Sequence, residues 1–167
     1  GRSVPCVTYG RGEEYILLTA RHHACESTGS YVLEAVLETL IKNLPEKYAI
    51  LAVPFVDYDG VLDGDQGKNR APYDHNRDYP LDGRDSIYAS IRAIRTFADR
   101  HRVRYVFDFH SPWHMWEQND VPFISRSTAS MEERNDRFSE YLEAQTSGHT
   151  LIYERKHDVG PNEMWND

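Results

Sequence analysis

The sequence predicts an α/β domain of three layers, with helices covering both faces of a mixed, largely parallel central sheet. Short apolar runs alternate with segments of helical periodicity along the chain, the rhythm of strands connected by helices. A hydrophobic content of 40% with three Trp, eleven Tyr and six Phe in 167 residues is enough for one core of ordinary size. No internal repeat, low-complexity tract or Pro/Gly/Ser linker divides the chain, so residues 1–167 are read as a single domain.

The segments VPCVTYG and EYILLTA read as strands on either side of the turn at Gly10 and Gly12. From Thr28 to Leu44 the residues Val32, Leu33, Val36, Leu37, Leu40, Ile41 and Leu44 recur at helical spacing, and Pro45 stops the pattern. YAILAVPFV is a further buried strand, cut at Pro54. The polar loop that follows, from Asp57 to about Gly83, is too long to be a mere connection. Asp85 is placed to cap a helix carrying Ile87, Ile91, Ile94 and Ala98 on one face. VRYVFDF is a strand that delivers His110 at its end. Ser130 and Glu133 form a capping-box pattern ahead of a helix through Phe138, Tyr141 and Leu142, and TLIYE reads as a short final strand. Ligands of such sheets bind beyond the carboxyl ends of the strands. Three polar segments fall there: RHHACE, the long loop, and HSPW.

The net charge of -8 is spread over both halves without a basic stripe, which excludes nucleic acid as a partner. No apolar run approaches the roughly 20 residues that span a bilayer, and GRSVPCVTYG lacks the layout of a signal peptide. A start at Gly1 rather than Met suits a processed or trimmed product, which leaves the compartment weakly bounded. Two cysteines, Cys6 and Cys25, are too few for a disulfide framework, so a reducing, cytoplasmic setting is preferred.

His23 and Glu26 stand three positions apart where the second strand gives way to the first helix, so both side chains can reach one ion. A catalytic zinc takes three protein ligands and keeps an open position for water. His110, whose strand ends at the same rim, is the best candidate for the third ligand. The pair by itself is a weak pattern in a chain with eight histidines, and a hydrogen-bonded loop histidine is the competing reading. His22 is the rival for the first ligand, with the three-residue spacing favouring His23.

The long loop adds Asp-Gly-Val at 59–61, Gly-Lys-Asn-Arg at 67–70 and Asp-His-Asn-Arg at 74–77. Taken in order with His-x-x-Glu and the strand-terminal Asp-x-His at 108–110, these motifs resemble the zinc carboxypeptidase family, the carboxypeptidase A superfamily. They look most like its cytosolic branch, and bacterial murein peptide amidases share part of them. The match runs from about Ile16 to Trp113. The resemblance implies a metallocarboxypeptidase with one zinc per chain, bound by His23, Glu26 and His110 at the carboxyl ends of the strands. It further implies that Arg70 stabilises the carbonyl oxygen as it becomes an oxyanion, that Asn76 and Arg77 hold the terminal carboxylate of a peptide or protein substrate, and that Asp74 orients a zinc-bound histidine. Chemically, an arginine forks onto a carboxylate with two charge-assisted hydrogen bonds, and an outer carboxylate fixes an imidazole tautomer.

Both arginines also lie among many Asp residues, the usual setting of a surface ion pair. Arg77 is the firmer assignment, because Asn precedes it and Asp lies three residues before it. Arg70 stands closer to Asn76 than the family spacing. His75 and His114 are read as solvent or rim histidines, Cys25 as a small packing residue, Asp108 as an outer partner or a plain strand-end acid, and Trp113, Trp116 and Phe123 as packing. The family places a general-base glutamate on a late strand. After His110 only Glu154 and Glu163 stand near an element end, and neither has family-like surroundings. The resemblance therefore implies a piece of a longer catalytic domain. Two other function classes stay open: a zinc deacylase of the aspartoacylase type acting on N-acyl amino acids, and a non-catalytic module that binds peptide C-termini.

Overall fold

The computed structural model describes residues 1–112, 121–126 and 131–160, and the chain divides into two compact units, Gly1–Pro112 and Trp113–Asp167. The first unit is built on four strands, β1 (Val7–Gly10), β2 (Glu14–Ala20), β3 (Tyr48–Val53) and β4 (Arg102–Phe109), in the spatial order β1-β3-β2-β4. β2 pairs in parallel with both β3 and β4, and β1 runs antiparallel along β3. The sheet is mixed and largely parallel, as expected.

Alternation along the strands feeds two separate cores. Ile16, Leu18, Ala20, Ile50 and Ala52 pack with Leu33, Val36, Leu37 and Leu40 of α1 (Ser27–Asn43). Leu17, Leu51 and Val53 pack with Ile91, Ile94 and Phe97 of α3 (Ala89–Arg100). Each fully buried aliphatic side chain contributes about 1.5–3 kcal/mol, and the two helices complete the three layers. The chain leaves β2 through α1 to reach β3 on one side, then returns through α3 to β4 on the other side of β2. Crossovers that diverge in this way open a crevice at the carboxyl end of the strand between them, here at Ala20.

The long loop is more ordered than its composition suggests. It contains α2 (Tyr58–Asp63), capped by the Asp57 carboxylate on Gly60 N–H, and a 3-10 turn at His75–Arg77 capped by Asp74. Asp85 does not cap α3. No side chain caps α3; the buried Asp78 carboxylate instead fixes the segment just ahead of it, accepting from Ile87 N–H at 3.0 Å and Tyr88 N–H at 2.8 Å. The helix accordingly starts at Ala89, Ile87 is exposed, and Phe97 rather than Ala98 continues the apolar face.

In the second unit the described residues form α4 (Glu132–Thr146), a 3-10 turn at Arg155–His157 and a parallel bridge between Ser125 and Val159. The Asp158 carboxylate organises it by accepting from Ile124 N–H, Arg126, Ser139 and the Tyr153 hydroxyl. TLIYE is not a strand. Tyr153 N–H is taken by Thr146 Oγ1 at 3.0 Å, so the segment is tied to the end of α4 instead of a neighbouring strand. Ser130 of the capping-box pattern, together with Trp113, His114, Trp116 and Glu163, lies outside the described residues. Among the described residues no helix is long and apolar enough to cross a membrane.

Candidate metal centre

The site begins where β2 ends. Arg21 takes a φ of 62°, the left-handed region that a side chain adopts only at a cost of about 1–2 kcal/mol. The residue is held there by its own guanidinium, with Nε donating to Ala24 O at 2.7 Å. The loop after β3 is stitched to the same point, since Val56 N–H donates to Ala20 O and Asp57 N–H to Arg21 O. Beyond this turn the adjacent histidines separate. His22 is 2% exposed and goes inward, with Nδ1 3.0 Å from Asp108 Oδ1 and Nε2 2.7 Å from the Tyr79 hydroxyl. His23 stays at the rim.

His23 Nδ1 lies 2.9 Å from Glu26 Oε1, and His110 Nδ1 lies 2.8 Å from Glu26 Oε2. Potential ligand atoms of these three residues lie within 4.8 Å of one another. Glu26 sits at the amino end of α1 yet makes no side-chain cap there. Its carboxylate, 2% exposed, is taken instead by the two histidines, by Lys68 Nζ at 2.9 Å and by Ser111 N–H at 3.1 Å. Gly29 makes the approach of α1 to β4 possible, because a Cβ there would lie 2.4 Å from Phe109 O.

Each imidazole turns its other nitrogen to a carboxylate. His23 Nε2 is 3.5 Å from Asp74 Oδ2, and His110 Nε2 is 2.7 Å from Asp108 Oδ2. An Nε2–H committed to an outer carboxylate leaves the Nδ1 lone pair for a metal, which is how ligating histidines are commonly oriented. Two imidazoles and one carboxylate fit zinc with a fourth position open. His22, Asp108 and His110 also lie close enough to share an ion, but His22 is 2% exposed, whereas His23 stands at the rim, where a catalytic zinc keeps its open position.

Electrostatics follow from this packing. Burial alone would raise the Glu26 carboxyl, but its hydrogen bonds to His110 and His23 hold it well below the usual carboxylate range. Asp108 keeps 30% of its side chain exposed. Desolvation of its carboxylate is outweighed by His22 and His110, which hold it low as well. Burial pushes the His110 imidazolium down, yet Asp108 and Glu26 carry it up to about 10.

The loop residues divide into two groups. Asp74 is buried beside His23, and the next turn carries Asn76 and Arg77 with exposed side chains. Arg70 points elsewhere. Its Nε and Nη2 both reach Asp57 Oδ2, at 3.0 and 2.7 Å, and Nη2 also meets Asp65 at 3.1 Å. A cleft of about 590 Å³ opens beside it, lined in part by Gln66, Asn69, Arg70 and Tyr88. Cys25 is exposed rather than packed, and neither cysteine is in a disulfide. Sequence reasoning missed Asp57, Lys68 and Tyr79. Position at the carboxyl end of a parallel strand was the available signal for Asp57.

His75 is buried, not a rim histidine. Its ring stacks on Tyr88 with centroids 3.7 Å apart, and Nδ1 makes no hydrogen bond and lies 3.8 Å from Asp57. Burial pushes its imidazolium below 6.5 despite the pull of Asp57, and Arg70 and His22 add to the push. The unfolded chain then binds the extra proton, so stability is lost as pH falls from about 6.5 toward the folded value. Urea midpoints are expected to drop more between pH 7 and 5 in the wild type than in His75→Phe, which keeps a ring on Tyr88. Equal drops would remove His75 from that titration.

Comparison with known proteins supplies independent information. Cytosolic carboxypeptidase 2 of Danio rerio is 32% identical over 110 residues, 60% of this chain and 15% of that protein. Over that segment the chain is similar to the cytosolic carboxypeptidases. A metallo-carboxypeptidase from Burkholderia cenocepacia superposes with a TM-score of 0.68 at 20% identity, over 96% of this chain and 45% of that one. An aspartoacylase family protein from Mesorhizobium loti superposes with a TM-score of 0.57 at 21% identity, over 90% of this chain and 50% of that one. These superpositions establish a carboxypeptidase-type α/β fold. No protein-family model matches the chain. It spans less than a sixth of the curated relative and less than half of the Burkholderia chain.

Proposed function

We propose that residues 1–167 form part of the catalytic domain of a cytoplasmic zinc carboxypeptidase that hydrolyses the C-terminal peptide bond of peptides or proteins. The observation that carries this reading is the convergence of His23 Nδ1, Glu26 and His110 Nδ1, each histidine backed by a carboxylate on its far nitrogen. One zinc ion held there would supply Lewis acidity, polarising a carbonyl and making water acidic enough to attack near neutral pH. Asp74 positions His23, and Asp108 positions His110. Arg77 and Asn76 follow Asp74 on the same 3-10 turn, so the fork for a terminal carboxylate is built into the segment that steadies a ligand. Arg70 is held by Asp57 and Asp65 through Nε and Nη2, which leaves Nη1 as the donor it would offer to a carbonyl oxygen. Glu154 pairs with Lys156 at 2.8 Å, and neither it nor Glu163 is assigned as the base.

A deacylase acting on N-acyl amino acids is the second reading, favoured by the aspartoacylase-type superposition and by the same ligand set. Zinc analysis and peptide binding test both. The chain is expected to hold about one zinc and to bind peptides with a free C-terminus better than their amides. Arg77→Ala should keep the zinc and weaken free-acid peptides by about 10- to 100-fold, the worth of a hydrogen bond to a charged group. Equal binding of acids and amides would make Arg77 a surface ion-pair residue. Preference for N-acyl amino acids over peptides would select the second reading.

A further inference from the structure

Lys68 is in contact with the candidate ligand set. Its Nζ is 2.9 Å from Glu26 Oε1, and among the described residues no other Lys or Arg forms an ion pair with Glu26. The backbone that carries it is pinned. Gly67 has a φ of 76° and packs so closely that a Cβ would lie 2.7 Å from Ala24 N, while Cys25 N–H donates to Gln66 O at 3.4 Å. The Lys68 side chain is 32% exposed, so it has solvent beside it on that fixed base, whereas Nε and Nη2 of Arg70 are both held by Asp57.

We propose that Lys68 is an exchangeable counter-ion for Glu26, holding the ligand carboxylate in the metal-free chain and released to the rim when a divalent cation takes the site. The proposal rests on the zinc reading above. Glu26 is buried, and four donors share its charge: His23, His110, Ser111 N–H and Lys68. A divalent cation among His23, Glu26 and His110 takes over the charge compensation that Lys68 supplies, and an ammonium a few ångströms away is repelled. The contact is therefore made in one state only. A contact confined to the metal-free state weakens metal binding by its own worth. Lys68 thereby sets how readily this centre loads and releases its ion, through the same carboxylate that ligates it.

The test is a zinc titration against a competing chelator, with melting temperatures recorded for metal-free and zinc-loaded protein. Lys68→Met keeps the aliphatic stem and removes the charge. It is expected to bind zinc about tenfold more tightly, matching the loss of a hydrogen bond to a charged group, and to melt lower than the wild type only when metal-free. Lys68→Arg keeps the charge and should stay near wild type. Lys68→Gln, with a neutral donor, should gain affinity in the same direction and serves if the Met variant does not fold. Equal or weaker zinc affinity in the uncharged variants, with zinc bound to all, overturns the counter-ion role and leaves the metal centre standing. A gain shared by Lys68→Arg also overturns it, because charge would not be the cause. Absence of zinc from every variant and the wild type overturns both readings.

Discussion

His110→Ala is expected to strip zinc from the purified chain, against about one ion per chain in the wild type. Three potential ligands converge here, and removing one of them leaves two donors that cannot hold the ion in competition with a chelator. The loss should exceed by far the 10- to 100-fold drop that follows loss of an outer partner. Asp108→Asn provides that comparison, because Asp108 touches His110 Nε2 and not the metal position. His23→Ala should behave like His110→Ala. His22→Ala should behave like Asp108→Asn, since His22 bonds Asp108 and stacks on His110 without joining the three candidate ligands. Elemental analysis after dialysis distinguishes the two classes. Full zinc in His110→Ala would remove that residue from the site, and full zinc in His23→Ala would transfer its role to His22.

The second large effect is expected at Asp57, a residue 1% exposed whose carboxylate binds Gly60 N–H at 3.1 Å and both arms of Arg70. Asp57→Ala removes the cap of α2 and leaves Arg70 with Asp65, whose own side chain is 45% exposed. Breaking a buried ion pair from one side costs about 3–5 kcal/mol. The lower end applies, since 27% of the Arg70 side chain reaches solvent, so about 3 kcal/mol is expected from urea unfolding. Asp57→Asn keeps the shape and an acceptor for Gly60, and should lose less. A change within about 0.5 kcal/mol, the range of ordinary surface substitutions, would show that the pair does not hold the loop.

Asp57 also shows why part of this site could be read in advance and part could not. The spacing of His23 and Glu26, and the position of His110 after VRYVFDF, are local features of a strand end and a helix start. The apolar periods that define β2, α1, β3 and β4 are local as well, and the motif order pointed to the zinc carboxypeptidases before any contact was known. The same local logic placed a cap of α3 at Asp85, whereas Asp78 holds the amides just ahead of that helix from across a turn, and it made a strand of TLIYE, whose residues have the composition for pairing but pair with no strand among the described residues.

The sequence by itself determined the α/β architecture, the three candidate ligands, and the acidic and basic residues that crowd the loop after β3. Tertiary structure decided how those charges pair. It turned His22 inward through the left-handed backbone at Arg21, set Asp74 and Asp108 behind the two rim histidines, tied Arg70 to Asp57, and brought Lys68 to Glu26. Secondary structure follows from periodicities within a dozen residues, whereas the partner of a charged side chain depends on which segments the sheet order and its crossovers bring to one rim. In a chain with 27 acidic and 19 basic residues many pairings satisfy the composition equally well, and only the positions of the backbones select among them.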